Sequence, residues 1–385
     1  MRHELLIAAG PGEWRAALAE DGAAVELYVE RGETHPPGSV HLGRVVRRAP
    51  GLDSAFVEIG DPRPGILPAR EAAADGVRVD EGARILVEVR REAQEGKGAR
   101  LSTRVRPGGR FELARLRRGA DHRDPPAQLY PAPGLAAALA LRLPVQPQRV
   151  RIDDPSSLSE LRQTWPDAEI AAPSDDWPLD IEAAIDAALS PSLALPGGGT
   201  VHIQETRTAT VIDVDTGNPV AGSAEAGAIA ANLGAAKLIA RQLRLRTIGG
   251  GIIVDFVGLE ARGAREQVSA ALAAALQTDP AGPRLLGWTR LGHLELVRPR
   301  RGRPLSDILL EPEDGSPRRK QSLSVAYEAL RTLRREARAR PGADWRVSAT
   351  PPVIAALAGP ANAALHALET HLGRTIEIVE SRQLR

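Results

Sequence analysis

Two segments combine short apolar, β-branched runs with acids: ATVIDVDTG (209–217) and GGGIIVDFVG (249–258). Such runs predict strands that would otherwise be core. Side chains alternate along a strand. Asp213 and Asp215 therefore share one face, Ile212 and Val214 take the other, and Asp255 lies on the face of Ile253. A buried carboxylate without a partner is costly, and two on one face about 7 Å apart repel by roughly 2 kcal/mol at an effective dielectric of 20. A divalent cation offsets both costs. Magnesium takes oxygen ligands, keeps several waters, and is commonly held by one or two carboxylates together with a substrate phosphate. The chemistry suggested is metal-assisted hydrolysis. Strand acids also occur at strand ends, beside arginines or facing water, and spacing leaves those readings open.

The elements that would position the acids follow from periodicity. Residues 224–246 repeat apolar side chains at the helical period: Ile229, Leu233, Ala236, Ala240 and Leu243. Strand, helix, strand is a βαβ unit, whose functional groups gather at the carboxyl ends of the strands. Arg241, Arg244 and Arg246 close the helix, where cations meet the helix dipole favourably or, alternatively, contact a phosphate backbone. The glycines at 249–251 suit a helix C-cap and tight turn. They lack the GK[ST] ending of a P-loop. The eight histidines show no metal-binding spacing, and His202 and His293 read as ordinary strand residues. Trp165, Trp177, Trp288 and Trp345 read as packing, and RPRRGRP (298–304) as a basic linker.

The chain has 385 residues, enough for several domains, and a formal charge of +1, so any nucleic-acid surface must be local. It contains no cysteine, which excludes disulfides, thiolate metal sites and a cysteine nucleophile. No run is long and apolar enough for a membrane span and no leader is evident, so the expected location is cytoplasmic. Residues 1–35 read as strands. Residues 36–105 hold about five short strands punctuated by Gly and Pro, as in a small OB-type barrel. Residues 106–149 read as a linker with one short helix, and 150–196 as a strand followed by helices. LLGWTRLGHLELVRP reads as strand, 306–321 as a second linker, and 322–385 as a small α+β unit.

IARQLRLRTIGGGIIVDF with an upstream VIDVDTG resembles the catalytic core of the ribonuclease E/G family of bacterial endoribonucleases. LGRVVRRAPGLDSAFVEIGDPRPGILPARE, followed by EGKGARLST, is similar to that family's OB-fold RNA-binding insertion. The resemblance covers most of the chain, apart from 106–150 and 306–320. It implies an α/β multi-domain protein: a split ribonuclease-H-like fold (1–35 and 150–196) with the inserted barrel (36–105), a reduced 5′-sensor region (106–149), a DNase-I-like core (197–305), a linker (306–321) and a small C-terminal domain (322–385). The implied activity is magnesium-dependent cleavage of single-stranded RNA. Asp213 and Asp255 would be the metal ligands, and Asp215, where the family has Asn, an additional acid able to join them. In the barrel, Phe56 and Lys97 match RNA-contacting positions, while Ile66 replaces a second aromatic. Arg44, with Arg47, Arg48, Arg90, Arg91 and Arg100, could form a phosphate-facing stripe. Arg284 is a further phosphate contact by the same likeness.

The departures matter as well. The family's zinc-bridging cysteines belong near 311–317 and are missing, so a homodimer could not form through a zinc–cysteine link. No Arg-Thr pair matches the family's 5′-monophosphate reader. An RNA clamp that no longer cuts is the alternative expectation. A small-substrate phosphohydrolase, which needs no barrel, ranks below both.

Overall fold

Gly and Pro punctuation divides the first third of the chain into short strands, and the computed structural model forms them. It describes residues 2–32, 35–93, 97–105, 110–130, 134–171, 180–217, 224–259, 261–313, 316–340 and 342–381. Trp177 and residues 314–315, within the segment where the zinc cysteines would fall, lie outside the described residues.

Strands β1 (His3–Ala9), β2 (Trp14–Glu20) and β3 (Ala23–Glu30) form a meander. The turn between β2 and β3 is Asp21-Gly22, both at positive φ (49° and 85°), as a two-residue hairpin turn demands. Next come β4 (Val40–Ala49), β5 (Ser54–Glu58), β6 (Gly65–Pro68), β7 (Arg84–Arg91) and β8 (Arg100–Ser102). These five pair in the ring β4-β5-β6-β8-β7 and back to β4, a closed barrel of the OB-like kind. Its interior is Val45, Val57, Leu67, Val87, Val89 and Leu101, supplied by alternate positions of the strands.

The segment 106–149 holds more structure than a linker with one helix. It forms helices Arg110–Asp121 and Leu135–Arg142, with β9 (Ala127–Tyr130) between them. Strand β4 is ten residues long, and β5 occupies only its second half. The first half keeps an open edge, and β9 pairs there with Val40–Leu42. Beyond it, β10 (Arg149–Ile152) joins β1 in parallel and β11 (Glu169–Ile170) joins β10.

A six-stranded sheet follows, from β12 (Ser192–Ala194), β13 (Thr200–Glu205), β14 (Ala209–Asp215), β15 (Gly250–Asp255), β16 (Arg284–Trp288) and β17 (Leu294–Arg298). Its spatial order is β12-β13-β14-β15-β17-β16. The segment LLGWTRLGHLELVRP is thus a hairpin, turned at 289–293, and not one strand. The helix Ala224–Leu245 crosses between parallel β14 and β15. With the helix Arg262–Leu276 it shares a core against one sheet face, including Ile212, Val214, Ala236, Ile239, Leu243, Ile252, Val254, Val268 and Leu272.

The glycines do not cap the crossing helix as expected. Thr247 takes the left-handed conformation (φ 56°), and the Ile248 N–H donates to the Leu243 carbonyl. The glycines make room instead. A Cβ at Gly249 would fall 2.9 Å from Arg300 Cγ.

Residues 306–321 are also more ordered than a linker: a short helix, Leu305–Leu309, leads into the hairpin of β18 (Leu310–Glu313) and β19 (Ser316–Lys320). The chain ends in the helix Ser322–Ala339, two further helices, and the parallel pair β20 (Arg346–Ala349) and β21 (Glu377–Glu380). Two compact units are distinguishable: Met1–His3 with Ala17–Leu27 and Pro178–Leu305, and Glu4–Ala16 with Tyr28–Trp177 and Ser306–Arg385. Among the described residues, no helix is long and apolar enough to cross a membrane.

Candidate active site and nucleic-acid interface

In β14 burial alternates strictly. Ile212 and Val214 are buried, while Asp213 and Asp215 are exposed. Asp255 ends β15 with its side chain 52% exposed. The acids therefore stand on the open face of a sheet whose other face is core. The expectation that they interrupt buried strands fails because, among the described residues, the helices that share the core cover only one side of this sheet.

Asp213 and Asp255 occupy matched positions on adjacent parallel strands. Neighbouring strands run about 4.8 Å apart and matched residues point to the same side. Both lie at the carboxyl ends of their strands, side by side. Asp215 differs. Its Oδ1 accepts the Gly217 N–H at 2.8 Å, turning the chain away after β14. Gly199 lies against that turn, where a Cβ would come within 2.3 Å of the Asp215 carbonyl oxygen.

Among the described residues, no group of three or more His, Cys, Asp or Glu side chains could hold a metal ion. What the register does bring together is the pair Asp213 and Asp255, while Asp215 is engaged with the turn at Gly217. Two exposed carboxylates side by side fit magnesium, which takes oxygen ligands and keeps several waters. With no cysteine in the chain, a thiolate zinc site is excluded.

The helix between the acid-bearing strands contributes a residue that the sequence reading missed. Asn232 is fully buried, and its side-chain amide donates to the Val257 carbonyl at 2.9 Å and accepts from the Val257 N–H at 3.0 Å. This clamps the chain two residues beyond Asp255. A polar residue inside an Ala-rich helical pattern was the available signal. Two histidines that read as ordinary strand residues stand beside the acids. His202 stands opposite Asp213, and His293 Nε2 lies 3.6 Å from Asp255 Oδ2. Only the strand register reveals them.

The arginines divide. Arg241 is exposed. Arg244 is buried, its Nη2 bonded to Glu20 at 3.1 Å and Glu26 at 3.2 Å. Arg246 is buried too, donating to Gln242 at 2.8 Å and the Ser190 carbonyl at 2.7 Å. Burial pushes its guanidinium down to about 10, against the pull of Glu205. Arg244 and Arg246 are structural, which corrects their assignment as RNA contacts. Arg284 is exposed and stands opposite Val297, on the side of the sheet that carries the acids but nearer the other ends of the strands. In the basic run at 298–304, Arg298 is buried and paired with Asp279.

On the barrel, register assembles a row: Arg47 opposite Phe56, Phe56 opposite Ile66, Ile66 opposite Arg100, Arg100 opposite Arg91. Phe56 is half-buried and stands outside the barrel core, with the Arg47 Cζ 4.7 Å from its ring centroid. Arg47, Arg91 and Arg100 are exposed, as is Lys97. The glycine after Lys97 is obligatory, since a Cβ at Gly98 would meet the Pro64 carbonyl oxygen at 1.9 Å. Arg44 is exposed opposite Glu58. Arg48 lies 3.9 Å from Asp80, and Arg90 is bound to Glu88 at 2.6 Å and the Arg104 carbonyl at 2.5 Å. The row thus sets an aromatic and an aliphatic side chain between guanidiniums, the residue types that stack bases and meet phosphates in single-strand binding proteins.

The profile of the ribonuclease E/G family matches residues 115–301, the stretch that contains the acid-bearing sheet. Ribonuclease G of Haemophilus influenzae is 26% identical over 86% of this chain and 87% of its own length. Ribonuclease G of Salmonella typhimurium is 25% identical over 98% of this chain and 97% of its own. Ribonuclease E of a Nostoc species is 28% identical over 76% of this chain, which spans only 55% of that longer relative. With this likeness running through barrel and acid-bearing sheet alike, the family profile and the relatives together support membership of the ribonuclease E/G family.

Proposed function

We propose that the chain is a magnesium-dependent endoribonuclease acting on single-stranded RNA, in RNA processing or decay, in the cytoplasm. The observation that carries this reading is the register that sets Asp213 beside Asp255 on the open face of the sheet. Bound magnesium supplies Lewis-acid polarisation of the scissile phosphate and an activated water, leaving 5′-phosphate and 3′-hydroxyl ends. Asp213 and Asp255 hold the ion, and the Asn232 clamp fixes the strand end that carries Asp255. On the barrel, Phe56 stacks a base, while Arg47, Arg91, Arg100 and Lys97 meet phosphates. Arg241 and Arg284, both exposed, add contacts on the sheet unit.

The domain scheme belongs to the same proposal: a split ribonuclease-H-like fold (1–35 and 150–196) around the barrel, then a DNase-I-like core (197–305) and the small domain (322–385). The order of strands and helices along the chain supports it.

The test uses a labelled single-stranded RNA incubated with magnesium or with EDTA. Cleavage is expected only with magnesium, and Asp213→Asn and Asp255→Asn should each abolish it while RNA binding persists. Magnesium-dependent cleavage retained in both variants overturns the assignment. Binding by the unaltered chain without any fragments would favour the clamp.

A further inference from the structure

Polar residues cross the open sheet face in a single row. Ser192 stands opposite His202, His202 opposite Asp213, and Asp213 opposite Asp255. Val254 pairs with Leu294, which brings His293 alongside Asp255. Two imidazoles thus bracket two carboxylates, in the order Ser-His-Asp-Asp-His, on neighbouring strands.

His202 is held through its ring and His293 through its backbone. The Ser192 Oγ and His202 Nδ1 are 2.8 Å apart. When the hydroxyl donates there, the ring proton sits on Nε2, which becomes an N–H donor. His202 is exposed, so that donor is open to a ligand. His293 hangs from a closed turn. Its N–H donates to Thr289 Oγ1 at 3.1 Å, and its carbonyl accepts the Thr289 N–H at 2.8 Å. Its side chain is 32% exposed, and 3.6 Å is too long for a hydrogen bond to Asp255. The ring stands beside the acid without being consumed by it.

The chemistry of the row selects its occupant. Two bare carboxylates would repel a polyanion at every point except the metal. N–H donors on both flanks supply what phosphate oxygens and ribose hydroxyls accept. The two rings are three strand spacings apart, about 14 Å. That span covers a central phosphate and the nucleotide on either side.

Resting on the reading of Asp213 and Asp255 as the metal-holding pair, we propose that this row is the track of the RNA across the sheet. The substrate strand runs perpendicular to the β-strands, its scissile phosphate over the two acids. His202 and His293 hold the sugar-phosphate backbone on opposite sides of the cut.

The experiment uses the full chain and a single-stranded RNA oligonucleotide with one cleavage site. The variants are His202→Ala, His293→Ala, their double, and His202→Asn and His293→Asn, which keep an N–H donor. KM and kcat are measured with magnesium, and affinity in EDTA by fluorescence anisotropy. Each Ala change should raise KM about fivefold to tenfold, the worth of one ordinary net hydrogen bond. The double variant should combine both effects, Asn should recover most of each, and kcat should move less. An RNA that ends just past the cut should lose sensitivity to one histidine and keep it to the other. KM within twofold of the unaltered protein in both Ala variants, or Asn no better than Ala, overturns the track. Asp213→Asn, run alongside, separates the two readings. If it is inactive while the Ala variants bind normally, the track alone falls. If it still cleaves, the metal-site reading beneath it falls.

Discussion

The side chain of Asn232 satisfies both backbone polar groups of Val257, accepting its N–H at 3.0 Å and donating to its carbonyl at 2.9 Å. A buried amide with this geometry substitutes for a strand partner just where β15 stops. It ties the crossing helix to the end of the strand bearing Asp255.

Replacing Asn232 with Ala leaves two part-buried backbone groups without this partner, at up to about 1–3 kcal/mol each. The variant should melt several degrees lower and should lose cleavage more than RNA affinity, because Asp255 is no longer held. Thermal unfolding with kcat and KM on the same sample checks this. A variant with normal melting and normal kcat would show that the clamp is dispensable.

Phe56→Ala should weaken single-stranded RNA binding by roughly 1–3 kcal/mol without unfolding the barrel, whose core excludes that ring. Arg100→Ala should act through charge. Each lost phosphate contact lowers the slope of log affinity against log salt by about 0.7 on single strands. Titrations at several salt concentrations distinguish the two, since the Phe56 variant keeps its slope.

Arg244→Ala should behave as a stability mutant. It removes the buried guanidinium that Glu20 and Glu26 share, a loss of up to about 3–5 kcal/mol. RNA affinity of the fraction that remains folded should be unchanged. Arg241→Ala, at an exposed position one turn earlier, should show the reverse pattern. Denaturant unfolding paired with anisotropy reads both.

The barrel should lose stability in mild acid. Burial, assisted by neighbouring His35, pushes His41 down to about 3, and its Nε2 lies 2.9 Å from Ser39 Oγ. In the unfolded chain the same ring titrates near its ordinary value of about 6.5. The unfolded state therefore binds the proton first. The stabilisation is fully present above about pH 6.5 and is lost toward pH 3, by up to about 1.4 kcal/mol per pH unit. His41→Gln should flatten that limb of the melting profile; an unchanged limb would assign the acid sensitivity to other groups.

What the sequence determined by itself was whatever depends on local pattern. Alternation in ATVIDVD put Asp213 and Asp215 on one face, and the helical period of 224–246 marked the crossover that makes β14 and β15 parallel neighbours. Gly and Pro spacing marked the barrel strands. Tertiary structure decided whatever depends on which elements pack against which. Alternation says that two faces differ but not which one the helices will cover, so acids expected inside lie outside. Proximity to a helix end could not reveal that Arg244 and Arg246 turn inward to partners 224 and 56 positions away. Strand register, a property of pairs, brought His202 and His293 beside the acids and aligned Phe56 with Arg47 and Arg100. No single segment contains that information, because it exists only once separate strands hydrogen-bond to one another.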